Sequence, residues 1–288
     1  MKWFDYAAPK TVAEATKLLS GGGSVHMLAG GTDLLVQLRV GRKLADLVLD
    51  IKKIPELNEI RIGDDGLTLG AAVPCYRIYG DTAVRRGYPA LVEVASLIGG
   101  TQIQGRASIG GNLCNAAPSA DSVPLLIAMG VTCVVAGPNG SRELNVEDFC
   151  VAPGKNALGA GELLVSLRFP APKAHAAAHY LRFIPRNEMD IAVAGAGVAV
   201  EMSNGTIRSA RVALASVAPT PLFVREAGDF LAGKAASDDN LRAAAELAKS
   251  AATPITDMRG PAEYRRHLCA ILTRRALEAA VRHAKGGN

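Results

Sequence analysis

The chain has 288 residues, of which 49% are hydrophobic and 20% are charged, and its formal net charge is +5. This composition is typical of a globular protein that can hold two compact domains, or one domain with subdomains, and it excludes extensive disorder. Acidic residues are interspersed with the basic ones and aromatic residues make up only 5% of the chain, so we expect no nucleic-acid binding.

The amino terminus and the cysteines exclude further classes of protein. Residues 1–6 lack the apolar core of a signal peptide, and no stretch approaches the ~20 apolar residues that a membrane span needs, so we expect a cytoplasmic protein without a membrane span. The five cysteines are widely spaced and form no Cys-x-x-Cys pair. They predict buried or incidental thiols, because an iron–sulfur or metal site would need about four thiolates together.

The first 55 residues predict a small β-α-β unit. Thr11 and Glu14 form a capping box at the start of a helix whose apolar stripe ends at the glycines of residues 21–23. A strand follows at residues 25–28, then a Gly-Gly loop and a short helix ending near Gly41, and then a second strand at residues 47–51. A boundary is predicted between residues 53 and 59, where the apolar runs pause.

The next segment predicts a second α/β unit that ends at a proline-flanked boundary at residue 172. Its predicted strands are residues 66–73, 131–137 with a return through the turn at 138–140, and 162–169. Its predicted helices are residues 76–86, 89–98 and 123–129.

The last third predicts strands followed by helices. Strands at residues 179–184, 190–201 and 207–217 include a hairpin around Asn204-Gly205, and helices follow at 238–252 and 261–284. Gly195-Ala196-Gly197 imitates a dinucleotide fingerprint, but Val200 stands where its third glycine would fall, so we reject a Rossmann site. The arginines of the last helix are expected to form a solvated or partner-facing side: Arg265, Arg266, Arg274, Arg275 and Arg282.

The stretch of residues 108–121, Ser-Ile-Gly-Gly-Asn-Leu-Cys-Asn-Ala-Ala-Pro-Ser-Ala-Asp, has no regular periodicity and is the strongest candidate site. Gly110 and Gly111 can take positive φ and expose their N–H groups, and successive bare amides form an anion-binding nest. Asn112 and Asn115 add amide donors, and Asp121 adds a carboxylate of the kind that binds a ribose hydroxyl. The alternative is an ordinary surface loop rich in glycine and asparagine.

A second glycine pair lies upstream, in Ala29-Gly30-Gly31-Thr32-Asp33-Leu34-Leu35. A strand that feeds a Gly-Gly turn at the start of a helix directs N–H groups and the positive helix end to one point, where a phosphate can bind. The two loops could therefore hold one pyrophosphate. The alternative is a structural turn with an aspartate N-cap.

Other catalytic motifs are absent from the sequence. It contains no Gly-x-Ser-x-Gly elbow, no His-Glu-x-x-His helix and no Gly-x-x-x-x-Gly-Lys-Ser/Thr loop, and the five histidines show no ligand spacing. A reaction carried out by this chain should therefore belong to a bound cofactor.

Together with Arg-Asn-Glu-Met-Asp-Ile-Ala-Val-Ala-Gly-Ala at 186–196 and Arg-Gly-Pro-Ala-Glu-Tyr-Arg-Arg at 259–266, the two loops resemble the FAD-binding medium subunit of the molybdenum hydroxylases. The resemblance runs from Phe4 to about Ala284. It implies an α+β fold with two α/β FAD-binding subdomains of the vanillyl-alcohol-oxidase (PCMH) type, at residues 1–55 and 56–172. A C-terminal α+β domain of the CO dehydrogenase flavoprotein type would occupy residues 173–288.

The resemblance also implies which residues bind FAD. The pyrophosphate would lie on the backbone of Ala29, Gly30, Gly31, Thr32, Asp33, Leu34, Ser108, Ile109, Gly110, Gly111 and Asn112. Asp121 matches an acidic residue near the nucleotide sugar, and Arg182 matches a basic residue near the flavin ring that would stabilise reduced, anionic flavin. Leu35, Leu164 and Ile191 match apolar residues beside the ring, although packing in core strands explains Leu164 and Ile191 equally well.

In this family the substrate is oxidised at molybdenum on another chain. The resemblance therefore implies an oxidoreductase that contains a large molybdopterin-binding subunit and a small subunit with two [2Fe-2S] clusters, as a dimer of heterotrimers. FAD on this chain would pass electrons to NAD, oxygen, quinone or another acceptor. One alternative is a stand-alone FAD-dependent oxidase or reductase with its own small-molecule substrate. Another is an interaction module that has lost FAD, and the glycines at 30, 31, 110 and 111 argue against it.

Overall fold

The structure of the chain, a computed structural model, describes residues 1–187 and 189–286 and contains three main β-sheets. Glu188, within the segment 186–196, and the last two residues of the predicted C-terminal domain lie outside the described residues. The first sheet is parallel, with strand order β1-β3-β2, and its elements are β1 (Asp5–Ala7), α1 (Val12–Leu19), β2 (Val25–Leu28), α2 (Leu34–Arg39) and β3 (Leu47–Asp50). The predicted β-α-β unit is confirmed, and Thr11 caps α1 by accepting a hydrogen bond from the Glu14 N–H, with an N···O distance of 3.1 Å.

The second sheet is antiparallel and has five strands in the order β4-β5-β10-β6-β7. Its strands and the two-stranded ribbon beside it are β4 (Ile60–Gly63), β5 (Gly66–Gly70), β6 (Thr132–Gly137), β7 (Gly140–Asn145), β8 (Cys150–Ala152), β9 (Lys155–Asn156) and β10 (Leu163–Phe169). The hairpin predicted at residues 138–140 is confirmed. The last strand, β10, lies in the middle of the sheet and pairs with both β5 and β6.

Six short helices accompany the second sheet: α3 (Cys75–Gly80), α4 (Thr82–Gly87), α5 (Pro89–Leu97), α6 (Thr101–Gln104), α7 (Ile109–Cys114) and α8 (Ser122–Ala128). The single helix predicted over 76–86 is wrong, because Asp81 is extended and begins a new helix. Its carboxylate accepts hydrogen bonds from the N–H groups of Ala83 and Val84, both at 2.9 Å. The strand predicted over 66–73 ends earlier, at Gly70.

The third sheet is antiparallel and forms, with the helices that follow it, what we call the C-terminal domain. Its elements are β11 (Ala176–Phe183), β12 (Ala194–Ser203), β13 (Thr206–Ala215), β14 (Leu222–Phe223), α9 (Arg225–Leu231), α10 (Asp238–Ala251) and α11 (Ala262–Ala284). The predicted hairpin is confirmed, and its turn residues Asn204 and Gly205 have φ values of 47° and 80°. A Cβ atom on Gly197 would lie 2.5 Å from the backbone of Pro124, so this glycine lets α8 pack directly on β12.

Arg265 departs from the prediction for the arginines of the last helix. It is 3% exposed, and its guanidinium donates hydrogen bonds to the backbone oxygens of Val193 and Ser216 and pairs with Asp257 at 2.5 Å. The prediction of a solvated side is therefore wrong for this residue, since its guanidinium is buried and binds partners inside the domain. Arg266, Arg275 and Arg282 are exposed, and Arg274 is half-buried and pairs with Asp238 and Glu278.

The first two sheets share a hydrophobic core. Leu49 and Ile54 belong to the same buried cluster as Ala72 and Leu163, which come from the region of the second sheet. The division predicted at residue 55 stays a prediction, because apolar packing continues across it. Among the residues that the structure describes, no helix is both long and apolar enough to cross a membrane.

Candidate cofactor cleft

A cleft of about 520 Å³ lies where three chain segments from the first two sheets meet, and we call it the cleft. The first segment is the loop between β2 and α2, at residues 29–34. The second is the start of α7, from Ser108 to Asn112, and the third is the loop before β10, at residues 158–162. Both glycine-containing stretches singled out in the sequence therefore border the same space.

Gly30 of the first segment is in backbone contact with Arg106 and Ala107, which directly precede the second segment. A Cβ atom on Gly30 would lie 2.1 Å from the carbonyl oxygen of Arg106, so no other residue fits there without moving one segment. The Arg106 Nε–H donates to the carbonyl oxygen of Gly30, with an N···O distance of 2.9 Å. Gly31 has φ +77°, which favours glycine. The sequence prediction that the two stretches act on one ligand thus has a physical basis in this contact.

The second segment is a helix start, and the predicted nest of positive-φ glycines is wrong. Gly110 and Gly111 lie in the first turn of α7, and neither takes positive φ. Ser108 caps the helix, because its Oγ accepts a hydrogen bond from the Gly111 N–H at 3.0 Å. The other N–H groups of a first turn have no acceptor within their own helix, so the start of α7 still favours an anion.

The two glycines of α7 serve different purposes. A Cβ atom on Gly110 would lie 2.4 Å from the carbonyl oxygen of Ala71, so Gly110 is needed for packing. A Cβ atom on Gly111 would meet only the Ser108 Oγ, at 3.0 Å, and Gly111 lines the cleft. Gly111 therefore keeps open a space that a side chain would fill.

Two asparagines of the predicted site also line the cleft, and their carbonyl oxygens are fixed from behind. The Ser122 Oγ–H donates to Asn112 Oδ1 at 2.6 Å, and Gln37 Nε2 donates to Asn115 Oδ1 at 3.2 Å. This arrangement leaves the Nδ2 groups of both asparagines as the donors for a ligand. Their predicted role as amide donors is compatible with this geometry.

Asp33 and Lys43 bring opposite charges to the cleft. Asp33 stands at the N-cap of α2, but within the described residues its side chain makes no capping hydrogen bond. Burial raises the pKa of its carboxyl above the usual value, and the Lys43 ammonium opposes that shift. The Asp33 side chain therefore does not cap the helix, and the alternative of a structural aspartate cap is wrong.

The third segment, at residues 158–162, and the cleft residues His26 and Lys43 were not predicted from the sequence. Gly159 and Gly161 were the available signal, since two closely spaced glycines precede a strand. Glu162 holds this loop in place: its carboxylate accepts the Gly159 N–H at 2.6 Å and pairs with Arg142 at 2.7 Å. The hydrogen bonds from Arg142 lower the pKa of Glu162 to about 2.

Most residues predicted to bind FAD line the cleft: Ala29, Gly30, Gly31, Thr32, Asp33, Leu34, Ser108, Gly110, Gly111, Asn112 and Leu164. Ile109 is 1% exposed and packs in the core beneath α7, and Leu35 and Ile191 are 40% and 47% exposed and lie outside the lining. The predicted residues therefore divide into those that line the cleft and the three apolar residues Leu35, Ile109 and Ile191, which do not.

Asp121 and Arg182 lie outside the cleft lining and bind each other. Arg182 donates to Asp121 Oδ2 at 2.5 Å and the Tyr180 hydroxyl donates to Asp121 Oδ1 at 2.8 Å. Burial raises the pKa of the Asp121 carboxyl, and the Arg182 charge opposes that shift. The structure thus gives both side chains partners other than the predicted ribose and flavin ring, because a buried carboxylate needs a counter-charge.

These features fit an extended dinucleotide cofactor. Backbone amides at the start of α7 and an open position at Gly111 suit a pyrophosphate, and side chains such as Leu19, Met27, Ile98 and Leu164 supply apolar walls. Within residues 1–187 and 189–286, no group of three or more His, Cys, Asp or Glu side chains could hold a metal ion.

Comparison with known families and proteins agrees with this description. Residues 2–172 match the family described as the FAD binding domain in molybdopterin dehydrogenase, and residues 179–280 match the CO dehydrogenase flavoprotein C-terminal domain. The xanthine dehydrogenase FAD-binding subunit of Escherichia coli O157:H7 is 32% identical, over 98% of this chain and 99% of that protein. The carbon monoxide dehydrogenase medium chain of Afipia carboxidovorans is 33% identical, over 98% of each chain.

Solved structures show the same fold. A chain of carbon monoxide dehydrogenase from Hydrogenophaga pseudoflava is similar with a TM-score of 0.94 and 34% identity, over 97% of each chain. A chain of quinoline 2-oxidoreductase from Pseudomonas putida 86 is similar with a TM-score of 0.91 and 29% identity, over 99% of each chain. These matches confirm the α+β fold that the sequence predicted. The chain therefore belongs to the FAD-binding subunits of the molybdenum hydroxylases, a family of oxidoreductases.

Proposed function

We propose that the cleft binds FAD and that residues 29–34 and 108–112 hold its pyrophosphate through backbone N–H groups. The observation that carries this proposal is the contact between Gly30 and the Arg106 carbonyl, which brings two amide-rich segments to one space. The Nδ2 groups of Asn112 and Asn115 add donors, and Lys43 adds a positive charge beside the pyrophosphate.

The placement of the flavin ring is a second part of the proposal. Leu164 lines the cleft and gives the ring an apolar wall, as the family resemblance implies. Leu35 and Ile191 are 40% and 47% exposed and lie outside the cleft lining, and their places beside the ring follow from the family resemblance alone. Asp121 and Arg182 neutralise each other, so their predicted places near the ribose and the ring stay predictions and are not needed for this proposal.

We further propose that this chain works within a heterotrimer. Bound FAD supplies the redox chemistry that connects one-electron carriers to an external acceptor. The partners would be a large molybdopterin-binding subunit and a small subunit with two [2Fe-2S] clusters, assembled as a dimer of heterotrimers. Support comes from relatives that are named medium chains and FAD-binding subunits and that match this chain over nearly their whole length.

The cofactor proposal is tested by flavin content. The untagged chain is purified, stripped of flavin and titrated with FAD while flavin fluorescence is followed. We expect saturation at one FAD per chain, and Gly111→Val should abolish it because the new side chain occupies the space at the start of α7. Gly80→Val is the matched control, since a Cβ atom there meets nothing within 4 Å and Gly80 is outside the cleft lining.

The assembly proposal needs its own experiment. Isolation from the native source should bring down two further chains together with molybdenum and iron, and the absorption spectrum should show iron–sulfur bands over the flavin bands. A homogeneous single chain that oxidises a small molecule with FAD alone would instead establish the stand-alone oxidase or reductase. A folded chain that binds no FAD would establish the interaction module.

A further inference from the structure

We propose that Arg182 and Tyr180 of the C-terminal domain are positioning residues for the FAD site, acting through Asp121 on the start of α7. FAD affinity would then depend on the contact of these two residues with Asp121, beside α8. The inference rests on the proposed FAD function of the cleft. We call Asp121, Tyr180 and Arg182 the Asp121 triad.

The Asp121 triad is buried at the junction of two parts of the chain. Asp121 immediately precedes α8, whereas Tyr180 and Arg182 lie on β11. The side chains of Arg182 and Asp121 are only 7% and 11% exposed, and Tyr180 is 5% exposed. Solvent therefore screens this ion pair little, and both carboxylate oxygens of Asp121 are satisfied from β11.

The sequence of the C-terminal sheet makes room for this contact. Tyr180 and Arg182 are two residues apart on β11 and therefore point to the same face of the sheet. Gly195 pairs with Arg182 on the neighbouring strand, and a Cβ atom on Gly195 would lie 2.4 Å from the Tyr180 hydroxyl. Glycine at this position thus lets the tyrosine hydroxyl reach Asp121.

A hydrogen bond connects the Asp121 triad to the cleft. Ser122 follows Asp121 in the chain and is fully buried, and its hydroxyl donates to Asn112 Oδ1 at 2.6 Å. Asn112 lies in α7 and lines the cleft. A shift of Asp121 therefore moves Ser122, which releases the Asn112 side chain and the first turn of α7.

A second interdomain arginine provides a matched comparison. Arg211 of β13 donates to the backbone oxygen of Ile127 at 3.0 Å and pairs with Glu147 at 3.0 Å. It also ties the C-terminal domain to the α8 region. However, neither Arg211 nor its partners line the cleft. Loss of Arg211 therefore weakens the contact between the same two parts of the chain. It leaves in place the hydrogen bond from Ser122 to Asn112, which we call the Asn112 relay.

The experiment measures the dissociation constant of FAD for the full-length chain by fluorescence titration of flavin-free protein. We expect Arg182→Met to weaken FAD binding roughly tenfold or more, because the interaction free energy between residues of one polar network corresponds to a change of about that size. Arg211→Met should change the constant by at most about twofold, since it leaves the relay intact. Arg182→Lys should restore most of the affinity by returning a cation to Asp121.

A double-mutant cycle with Ser122→Ala separates positioning from general destabilisation. In the Ser122→Ala background the relay is already broken, so Arg182→Met should cost much less FAD affinity than in the native background. If Arg182→Met folds poorly, Tyr180→Phe removes only one hydrogen bond to Asp121 and should still weaken FAD binding more than Arg211→Met does.

The outcomes are distinct. Suppose that the native protein binds FAD and that Arg182→Met, Tyr180→Phe and Arg211→Met all have the same dissociation constant for FAD. This result would overturn the positioning role and leave the FAD site in place. Equal effects of Arg182→Met with and without Ser122 would overturn the relay. Native protein that binds no FAD would overturn the proposed function of the cleft itself, together with this inference.

Discussion

The Cα atom of Gly30 packs so close to the carbonyl oxygen of Arg106 that a Cβ atom would lie 2.1 Å from it. The two residues are far apart in sequence, one in the loop after β2 and the other in the turn before α7, yet their backbones touch beside the cleft. The cofactor site is thus built on a contact between main chains, which constrains both segments more strongly than side-chain packing would.

Gly30→Ala should therefore separate the two segments. The added methyl group overlaps the Arg106 carbonyl and breaks the Arg106 hydrogen bond to Gly30, so we expect loss of FAD in the titration described above. Gly80→Ala, which adds the same methyl group in open space, should bind FAD as the native protein does. Full FAD affinity in Gly30→Ala would contradict the role of this contact.

Gly110→Ala and Gly111→Ala should have opposite signatures, although the residues are adjacent. Gly110→Ala forces a methyl group against Ala71 and should lower the free energy of unfolding by about 1–3 kcal/mol. Gly111→Ala meets only the Ser108 Oγ, at 3.0 Å, so a small shift of that side chain offsets the helix preference of alanine, and the free energy should change by less than about 1 kcal/mol. Urea unfolding of the flavin-free variants measures both, and Gly111→Ala should be the one that loses FAD affinity without losing stability.

Arg265→Met should destabilise the fold strongly, whereas Arg266→Met should not. Removing Arg265 takes this donor from two backbone oxygens and leaves the 30% exposed Asp257 carboxylate with the Arg259 N–H, at a cost of about 2–4 kcal/mol. Arg266 is exposed, so its replacement should change the free energy of unfolding by less than about 0.5 kcal/mol. Equal urea midpoints for the two variants would show that the buried arginine is dispensable.

The pair between Glu162 and Arg142 should make one part of the stability dependent on pH. The pKa of Glu162 falls from 4.5 to about 2, so the pair contributes fully above pH 4.5 and its contribution is lost as the pH falls toward 2. Glu162→Gln should lower the free energy of unfolding at pH 7 by about 1 kcal/mol, since solvent screens the Arg142 side chain, which is 43% exposed. The difference in the free energy of unfolding between this variant and the native protein should vanish near pH 2.

Glu143→Gln is the control for that measurement. Glu143 pairs with Arg168, and both side chains are 51% exposed, so the pair should contribute little at any pH. Chemical unfolding at pH 7, 5 and 3 compares the two variants. A constant difference between Glu162→Gln and the native protein over this range would contradict the lowered pKa.

The cysteines should react slowly in the folded chain. Burial raises the pKa of the thiols of Cys75, Cys114 and Cys269 to about 12 and that of Cys150 to about 11, so hardly any thiolate is present at pH 7.5. Iodoacetamide should modify them only after urea unfolds the protein. Rapid labelling of Cys114, which lines the cleft, would show that its thiol is more accessible than the structure indicates.

Local patterns in the sequence predicted most elements of the fold. The capping box at Thr11, the turn at Asn204-Gly205 and the apolar runs of β6 and β12 each carry their own signal, because they depend on neighbours in the chain. Both glycine pairs border the cleft. Helix α7 was missed, since Gly-Gly-Asn has low helix propensity and the helix is held by Ser108 and by packing on Ala71.

The partners of charged side chains could not be predicted in the same way. Arg265 lies three and four positions before the buried Leu268 and Cys269, so helical periodicity places it on the core side of the last helix. Its charge alone argued for solvent, and only the tertiary structure shows that Val193 and Asp257 are its partners. Asp121 and Arg182 were each assigned to the ligand, and the structure pairs them with each other across 61 positions of sequence. A sequence pattern gives no sign of contacts at such separations.

The central place of β10 determines when this protein can acquire its cofactor during synthesis. β10 joins β5 to β6, and the loop that completes the cleft directly precedes it, so the second sheet stays open until residue 169 has left the ribosome. Contacts between such distant segments form slowly. A nascent chain that stalls before this strand would lack the strand that joins β5 to β6 and would leave the cleft incomplete, and cofactor loading must therefore follow translation of more than half of the polypeptide.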